Sequence, residues 1–191
     1  MEVIHTQLHT LLLPILLSAV ATFILSSIIH MVLGYHSNDY KALPSEKSVM
    51  DDLRKHNIPP GDYHFPRPAN MKDLKSPEFL EKMKQGPVGM MTIMKRSTPG
   101  MAKELILWFI YSIIVSIFAA YVAGRALPPG SHYLAVFRFA GVTAFCGYSL
   151  ALIQNSIWYH RNWSATLKSM FDGLIYALFT AGIFGWLWPI M

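Results

Sequence analysis

The stretch LILWFIYSIIVSIFAAYVAG, residues 105–124, contains 20 consecutive residues without a charged side chain. An α-helix rises about 1.5 Å per residue, so this stretch would extend about 30 Å, the thickness of the hydrocarbon core of a bilayer. Residues 8–34, 133–157 and 170–188 form three more apolar stretches of sufficient length. The sequence therefore predicts an all-α integral membrane protein, folded as a bundle of four transmembrane helices.

Charged residues are concentrated between the first two apolar stretches. Residues 41–103 contain 12 of the 16 Lys and Arg and seven of the 11 acidic residues, although charged residues form only 14% of the chain. A soluble domain has about 25%. The pattern predicts three regions: residues 1–35 with the first transmembrane helix, 36–103 as a basic soluble segment, and 104–191 with the other three helices.

The segment 36–103 is rich in turn-forming residues, because eight of the 12 prolines lie in it. Ser45 is the predicted N-cap of one short helix, and Ser76-Pro77-Glu78 opens a second one. The apolar residues 88–94 are too few to span a bilayer and fit a strand or a stretch on the membrane surface. Two short helices do not form a core of their own, so we expect the segment to pack against the bundle or a partner.

Lys and Arg beside the apolar stretches predict the orientation. Seven of them flank the segment 36–103 or lie in the loop after the third helix: Lys41, Lys47, Lys95, Arg96, Lys103, Arg161 and Lys168. The opposite side offers Arg125 alone. Because cytoplasmic loops carry the excess of positive charge, both termini are predicted to lie outside. The basic segment would then face anionic lipid headgroups in the cytoplasm, and nucleic acid is not an expected partner.

Small residues recur three or four apart in each predicted helix, which places them on one face. The rows are Ser18, Thr22 and Ser26; Ser112, Ser116, Ala120 and Gly124; Ala140, Ala144, Gly147 and Ala151; and Gly173, Ala177, Ala181 and Gly185. Small side chains allow helices to approach closely in lipid. The rows predict a tight antiparallel bundle, and a surplus row would serve a homo-oligomer or another membrane subunit.

A row of polar residues in the first helix is a candidate functional feature, because polar groups are unfavourable in lipid. It consists of Ser18, Thr22, Ser26 and His30. Hydroxyls relay hydrogen bonds and histidine titrates near neutral pH, so the row suits a path for protons or a small solute. The alternative is that the hydroxyls bond back to their own helix.

Two charged residues inside the predicted helices have more than one interpretation. Arg138 extends to the outer interface, contacts an anion or substrate, or belongs to a structural ion pair. Asp172 either suits the helix dipole in the first turn of the fourth helix or belongs to a polar cluster at the cytoplasmic mouth. The other predicted members of that cluster are Gln154, Asn155, His160 and Arg161.

Catalytic and cofactor motifs are not found in the sequence. It lacks a Walker pattern, HExxH, a serine elbow and paired carboxylates within the spans, and one cysteine, Cys146, allows no disulfide within the chain. Haem in a bundle needs histidines from facing helices at one depth, but the second and fourth helices contain none. We therefore expect no catalytic residue, no metal ligand and no cofactor, and an enzyme is not favoured.

Two stretches carry a resemblance to a family. Residues 163–189, WSATLKSMFDGLIYALFTAGIFGWLWP, and residues 36–44, HSNDYKALP, resemble small four-span proteins of the bacterial inner membrane that are uncharacterised as a group. The resemblance covers most of the chain. It implies a location in the bacterial cytoplasmic membrane, and it implies no activity, cofactor or site residue.

Three hypotheses for function follow from these patterns. The first is a non-enzymatic multi-pass membrane protein that acts as an accessory or scaffold subunit of a membrane assembly. The second is a small oligomeric channel or transporter of protons or a solute, which would use the hydroxyl row with His30 and Asp172. The third is a haem- or quinone-binding membrane protein.

Overall fold

The computed structural model describes residues 5–95 and 100–190, and Arg96, used above to predict the orientation, lies outside them. The helices in these residues are α1 (Leu8–Val32), α2 (Glu46–Lys55), α3 (Pro77–Gln85), α4 (Ala102–Ala126), α5 (Tyr133–Tyr148), α6 (Ile153–Trp158) and α7 (Trp163–Trp186). Strands β1 (Gly61–Phe65) and β2 (Gly89–Ile93) pair antiparallel. Helix α1 ends in a π-helical turn, Ile28–Val32, and α5 and α6 form one apolar stretch, Tyr133–Trp158.

Four of these elements, α1, α4, the α5–α6 stretch and α7, are long and apolar enough to cross a membrane. Only 28% to 39% of the most apolar part of each is buried. Their outer faces carry exposed large side chains, among them Leu13, Leu16, Ile106, Phe118, Phe171 and Leu178. Soluble monomers rarely expose contiguous apolar surface of this extent. The predicted mostly helical bundle with four helices of spanning length is confirmed.

The four long helices form a ring in which each helix packs against two neighbours. Helix α1 contacts α4 and α7, and α5 contacts the same two helices. The small-residue rows lie mainly on the buried faces, with Gly147 and Gly185 half-buried and Ala151 exposed. Several glycines are positions of closest approach: a Cβ on Gly173 would lie 2.8 Å from the carbonyl oxygen of Tyr148. Close backbone approach therefore holds the helices together, as expected for small faces in lipid.

The bundle interior changes in character from one end to the other. At the end formed by the start of α1 and the α4–α5 loop, apolar side chains fill the interior, including Leu11, Ile15, Val136, Phe184 and Trp188. Toward the opposite end, aromatic rings of α4, α5 and α7 pack on one another with centroids 5.7–6.1 Å apart: Trp108, Tyr148 and Tyr176. We call these the apolar end and the aromatic end.

The start of α7 differs from the prediction. The helix begins at Trp163, seven residues earlier than the predicted boundary, and the side chain of Asn162 caps it by accepting a hydrogen bond from the backbone N–H of Ser164 at 2.9 Å. Asp172 consequently lies in the third turn. The helix-dipole interpretation of Asp172 is wrong, because the dipole acts within the first turn. The single cysteine, Cys146, is exposed on α5.

Residues 41–99 form a second compact unit, while residues up to 40 belong with the bundle. The second unit contains α2, α3 and the β1–β2 pair, in which Gly61 stands opposite Ile93 and Phe65 opposite Gly89. Ser76 caps α3 by accepting a hydrogen bond from the N–H of Phe79. The unit therefore contains two strands besides the two short helices, and the predicted all-α fold class did not include these strands. Among its described residues, 41–95, Phe79 is the one buried side chain.

Candidate functional site

A histidine lies between two carboxylates at the aromatic end of the bundle. The Nδ1 atom of His36 is 2.6 Å from Oδ2 of Asp39, and its Nε2 atom is 2.7 Å from Oδ2 of Asp172. Both aspartate side chains are almost fully enclosed, at 5% and 3% exposure. An ionised carboxylate has no proton to donate, so both ring nitrogens of His36 donate when both aspartates are ionised.

The chain after α1 is folded into tight turns that bring His36 and Asp39 together. Gly34 follows the helix with φ of +64°, a conformation that glycine adopts without strain. The N–H of Ser37 then donates to the carbonyl of Gly34, and the N–H of Asp39 donates to the carbonyl of His36. This segment, residues 34–40, therefore presents the side chains of His36 and Asp39 to α7.

Lys168 joins the same cluster from α7. It lies one turn before Asp172 and donates to Oδ1 of Asp39 at 2.9 Å and to the backbone carbonyl of Tyr35 at 2.7 Å. Burial alone would raise the pKa of Asp39, but the hydrogen bonds and charges of His36 and Lys168 outweigh it and hold that pKa below its ordinary value. The cluster thus ties segment 34–40 to α7 through charged hydrogen bonds, which are the stronger kind.

His30 approaches the cluster from the π-helical last turn of α1. Its Nε2 atom is 4.0 Å from Oδ2 of Asp172, and its side chain is 50% exposed. The rings of His30, His36 and Tyr35 pack side by side, with successive centroids 4.6 Å and 4.3 Å apart. Such π-helical turns occur frequently at functional sites. Here the turn carries His30, whose half-exposed ring lies at the solvent-accessible edge of the cluster.

Hydroxyl groups continue from this cluster into the middle of the bundle. Ser18, Thr22 and Ser116 are fully buried, and their hydroxyls have no hydrogen-bond partner within the described residues. Ser26 is different, because it accepts a hydrogen bond from the indole N–H of Trp108 at 2.8 Å and donates to its own helix. The hydroxyl row of α1 therefore faces the interior, and it stops where the apolar end begins.

The other predicted polar residues lie apart from Asp172. Across residues 5–95 and 100–190, no hydrogen bond or ion pair links it to Gln154, Asn155, His160 or Arg161. The guanidinium of Arg161 instead lies 5.9 Å from the ring centre of Tyr40, and the backbone N–H of Arg161 donates to the carbonyl of Asn155. His160 is exposed in a left-handed turn. Arg138 is exposed and borders an apolar groove between α5 and α7.

Three members of the cluster were not among the candidates from sequence: His36, Asp39 and Lys168. A signal for each is present in the sequence. His36 and Asp39 lie three apart in a turn directly after an apolar helix, and Lys168 precedes Asp172 by four residues on one helix face. The sequence led us to expect no metal ligands, but the structure contains a candidate group. Potential ligand atoms of His30, His36 and Asp172 lie within 4.8 Å of one another.

No protein family, curated protein or solved structure matches the chain. The resemblance of residues 163–189 and 36–44 to small inner-membrane proteins gains no support from these comparisons. The function is therefore inferred from the geometry of the described residues.

Proposed function

We propose that the chain is inserted in a membrane through α1, α4, the α5–α6 stretch and α7, and serves there as a non-enzymatic accessory or scaffold subunit. The outward Leu, Ile and Phe side chains of these helices need an apolar solvent, which lipid supplies. The interior is packed with apolar side chains at one end, so residues 5–95 and 100–190 of a single copy offer no continuous polar path in this conformation. The bundle then acts as an anchor.

The observation that carries the scaffold role is the exposed apolar surface of the second unit. Phe79 is the one buried side chain among residues 41–95, and large side chains such as Met71 and Met94 are 80% and 82% exposed. A unit of this size without a core has little stability of its own. A partner surface would supply the missing burial, as in segments that gain order on binding.

A groove on this unit is the proposed contact with the partner. It has a volume of about 250 Å³ and is lined by Met50, Leu53, Arg54, Asn57, Ile58 and Ile93. Its apolar side chains come from α2 and its C-terminal turn and from β2. The groove is small, so it would receive one or two apolar side chains of another subunit.

The experiment compares complexes formed by full-length variants. Native mass spectrometry in mild detergent should show the chain in a stoichiometric complex with a second membrane subunit. Leu53→Asp should abolish that complex, because it places a charge in the groove, while Lys55→Ser, an exposed change on the same helix, should leave it intact. A homogeneous monomer, or a complex that survives Leu53→Asp, would refute the proposed role.

A second candidate function is the movement of protons or a small cation through an oligomer of the chain, by a path that enters at the aromatic end of each copy. The specific observation in its favour is the set of buried hydroxyls of Ser18, Thr22 and Ser116 that lack a partner within the described residues. Buried hydroxyls without a partner are unfavourable by about 1–3 kcal/mol each. Water or a transported ion would satisfy them and connect them to Asp172.

Flux through proteoliposomes distinguishes this candidate from the scaffold role. Asp172→Asn and Thr22→Val should each remove most of the proton flux if the path is used. Thr143→Val is the matched control, because that hydroxyl donates to the carbonyl of Phe139 on its own helix. Absence of flux in the wild-type chain, or equal flux in all four proteins, would exclude the second candidate and leave the scaffold role untouched.

A further inference from the structure

We propose that His30, His36 and Asp172 bind one divalent transition-metal ion, with Zn²⁺ as the best fit. This site is independent of the scaffold role. The ligand atoms Nε2 of His36 and Oδ2 of Asp172 are 2.7 Å apart, and Nε2 of His30 is 4.0 Å from the same oxygen. Zinc bonds of about 2.0–2.1 Å in a tetrahedral arrangement separate ligand atoms by about 3.3 Å. The observed distances lie on both sides of that value, so side-chain rotations suffice.

The orientation of His36 is the strongest argument for a metal. Its Nδ1 atom is held by Asp39, and Asp39 is held in turn by Lys168. Metal-binding histidines commonly donate their second N–H to a carboxylate, which fixes the tautomer and leaves the other nitrogen free as a ligand. A neutral His36 with its proton on Nδ1 would direct the lone pair of Nε2 at Asp172, and a metal ion would replace the proton that these two atoms otherwise share.

The second oxygen of Asp172 supplies an independent observation. Its Oδ1 atom is buried and has no hydrogen-bond partner among the described residues, in a side chain that is 3% exposed. A buried carboxylate oxygen without a partner is unfavourable. A dication beside this carboxylate would balance its charge and offset the missing hydrogen bond.

The nature of the ligands selects the class of metal. Two imidazoles and one carboxylate suit Zn²⁺, Co²⁺ or Ni²⁺, whereas Mg²⁺ and Ca²⁺ prefer oxygen ligands alone. His30 is half exposed at the edge of the cluster, so an ion reaches the site by displacing this ring rather than by opening the bundle. Three protein ligands leave a fourth position for water.

The test uses the full-length chain in detergent, purified without a polyhistidine tag and stripped with a chelator. Calorimetric titration with Zn²⁺ should give one ion per chain, and Co²⁺ should give the intense visible absorption of tetrahedral coordination. His30→Gln should weaken Zn²⁺ binding by more than about 100-fold, and Asp39→Asn, which removes the carboxylate that orients His36, by about 10- to 100-fold.

His9→Gln is the matched control, because His9 is an exposed histidine at the opposite end of the same helix, and its binding should equal that of the wild type. His30→Gln should fold normally, since the His30 side chain is half exposed and lies 4.0 Å from Asp172. Lack of Zn²⁺ binding by the wild type, binding that is unchanged in His30→Gln, or displacement of Zn²⁺ by Mg²⁺ would overturn the proposal and leave the cluster as a tether of segment 34–40.

Discussion

Gly173 illustrates how the absence of a side chain sets the spacing between α5 and α7. A Cβ on this residue would lie 2.8 Å from both the carbonyl oxygen of Tyr148 and the Cβ of Ser149. Backbone atoms cannot move aside as a flexible side chain can. We expect Gly173→Ala to destabilise the bundle by about 1–3 kcal/mol, as overpacking does in other tightly packed interiors, in unfolding titrations with SDS.

Gly182 on the same helix provides the control for this prediction. A Cβ there would meet only the hydroxyl of Tyr133 at 3.6 Å, an ordinary contact. Gly182→Ala should therefore be neutral or stabilising by up to about 1 kcal/mol, because alanine favours the helix. Equal effects of the two substitutions would show that the contact at Gly173 does not limit the approach of the helices.

The lowered pKa of Asp39 leads to a prediction of how the stability of the bundle depends on pH. Its pKa is lower in the folded chain than in an unfolded one, where an aspartate titrates near about 3.9. The unfolded state therefore binds more protons, and the stability contributed by Asp39 is complete above that pH and is lost as the pH falls through the folded pKa. Thermal midpoints between about pH 3 and pH 7 should fall more steeply in the wild type than in Asp39→Asn.

The control for the pH experiment is Glu104→Gln, which removes an exposed carboxylate from the first turn of α4. Its midpoints should follow those of the wild type, because an exposed charge at a helix end contributes little. If Asp39→Asn and the wild type gave parallel curves, the hydrogen bonds from His36 and Lys168 would contribute nothing to stability.

At the scale of secondary-structure elements, the long apolar stretches determined what could be predicted. The four helices follow from uninterrupted apolar sequence, but the start of α7 does not, because residues 163–169 are too polar to be assigned to a membrane span. They are helical because Asn162 caps them and because Lys168 contacts Asp39. The contact of Lys168 with Asp39 arises from tertiary packing, whereas the Asn162 cap is a local hydrogen bond, and hydropathy indicates neither of them.

The contact between α1 and α4 leads to a prediction about a hydrogen bond between helices. The indole N–H of Trp108 donates to the hydroxyl of Ser26 at 2.8 Å. A double-mutant cycle with Trp108→Phe and Ser26→Ala should give a coupling energy of about 0.6–1 kcal/mol, the usual range for such bonds in bundles. Unfolding in SDS measures it.

Ser27 offers a matched position for that cycle. Its hydroxyl donates to the carbonyl of Phe23 on the same helix, so Ser27→Ala should show no coupling to Trp108→Phe beyond the error of the cycle. A coupling as large at Ser27 as at Ser26 would mean that the substitutions act through general loosening of α1 rather than through the hydrogen bond.

For the molecule as a whole, two contacts of the site join residues that are far apart in the sequence, and no local pattern indicates that these residues meet. His36 and Asp172 are 136 residues apart, and Lys168 and Asp39 are 129 apart. The sequence predicted Asp172 and His30 as polar residues near one end of the bundle, because both are out of place in apolar stretches. It could not predict that segment 34–40 folds back onto α7, since that depends on the turn at Gly34 and on the helix order around the ring.

The predicted orientation places the aromatic end and the histidine–carboxylate cluster on the cytoplasmic side, because Lys and Arg are concentrated there. Single cysteines in a Cys146→Ser background test this with a membrane-impermeant maleimide on intact cells. Gln7→Cys and Ser131→Cys, at the apolar end, should react from outside, whereas Ser48→Cys and Tyr159→Cys should react only after the membrane is opened. All of these positions are exposed except Ser131, which is half-buried in the α4–α5 loop. If Ser131→Cys reacts slowly, the labelling of Gln7→Cys determines the location of the apolar end. Labelling of Ser48→Cys in intact cells would show that the orientation is the reverse of the predicted one. Any metal bound at His30, His36 and Asp172 would then face the external medium.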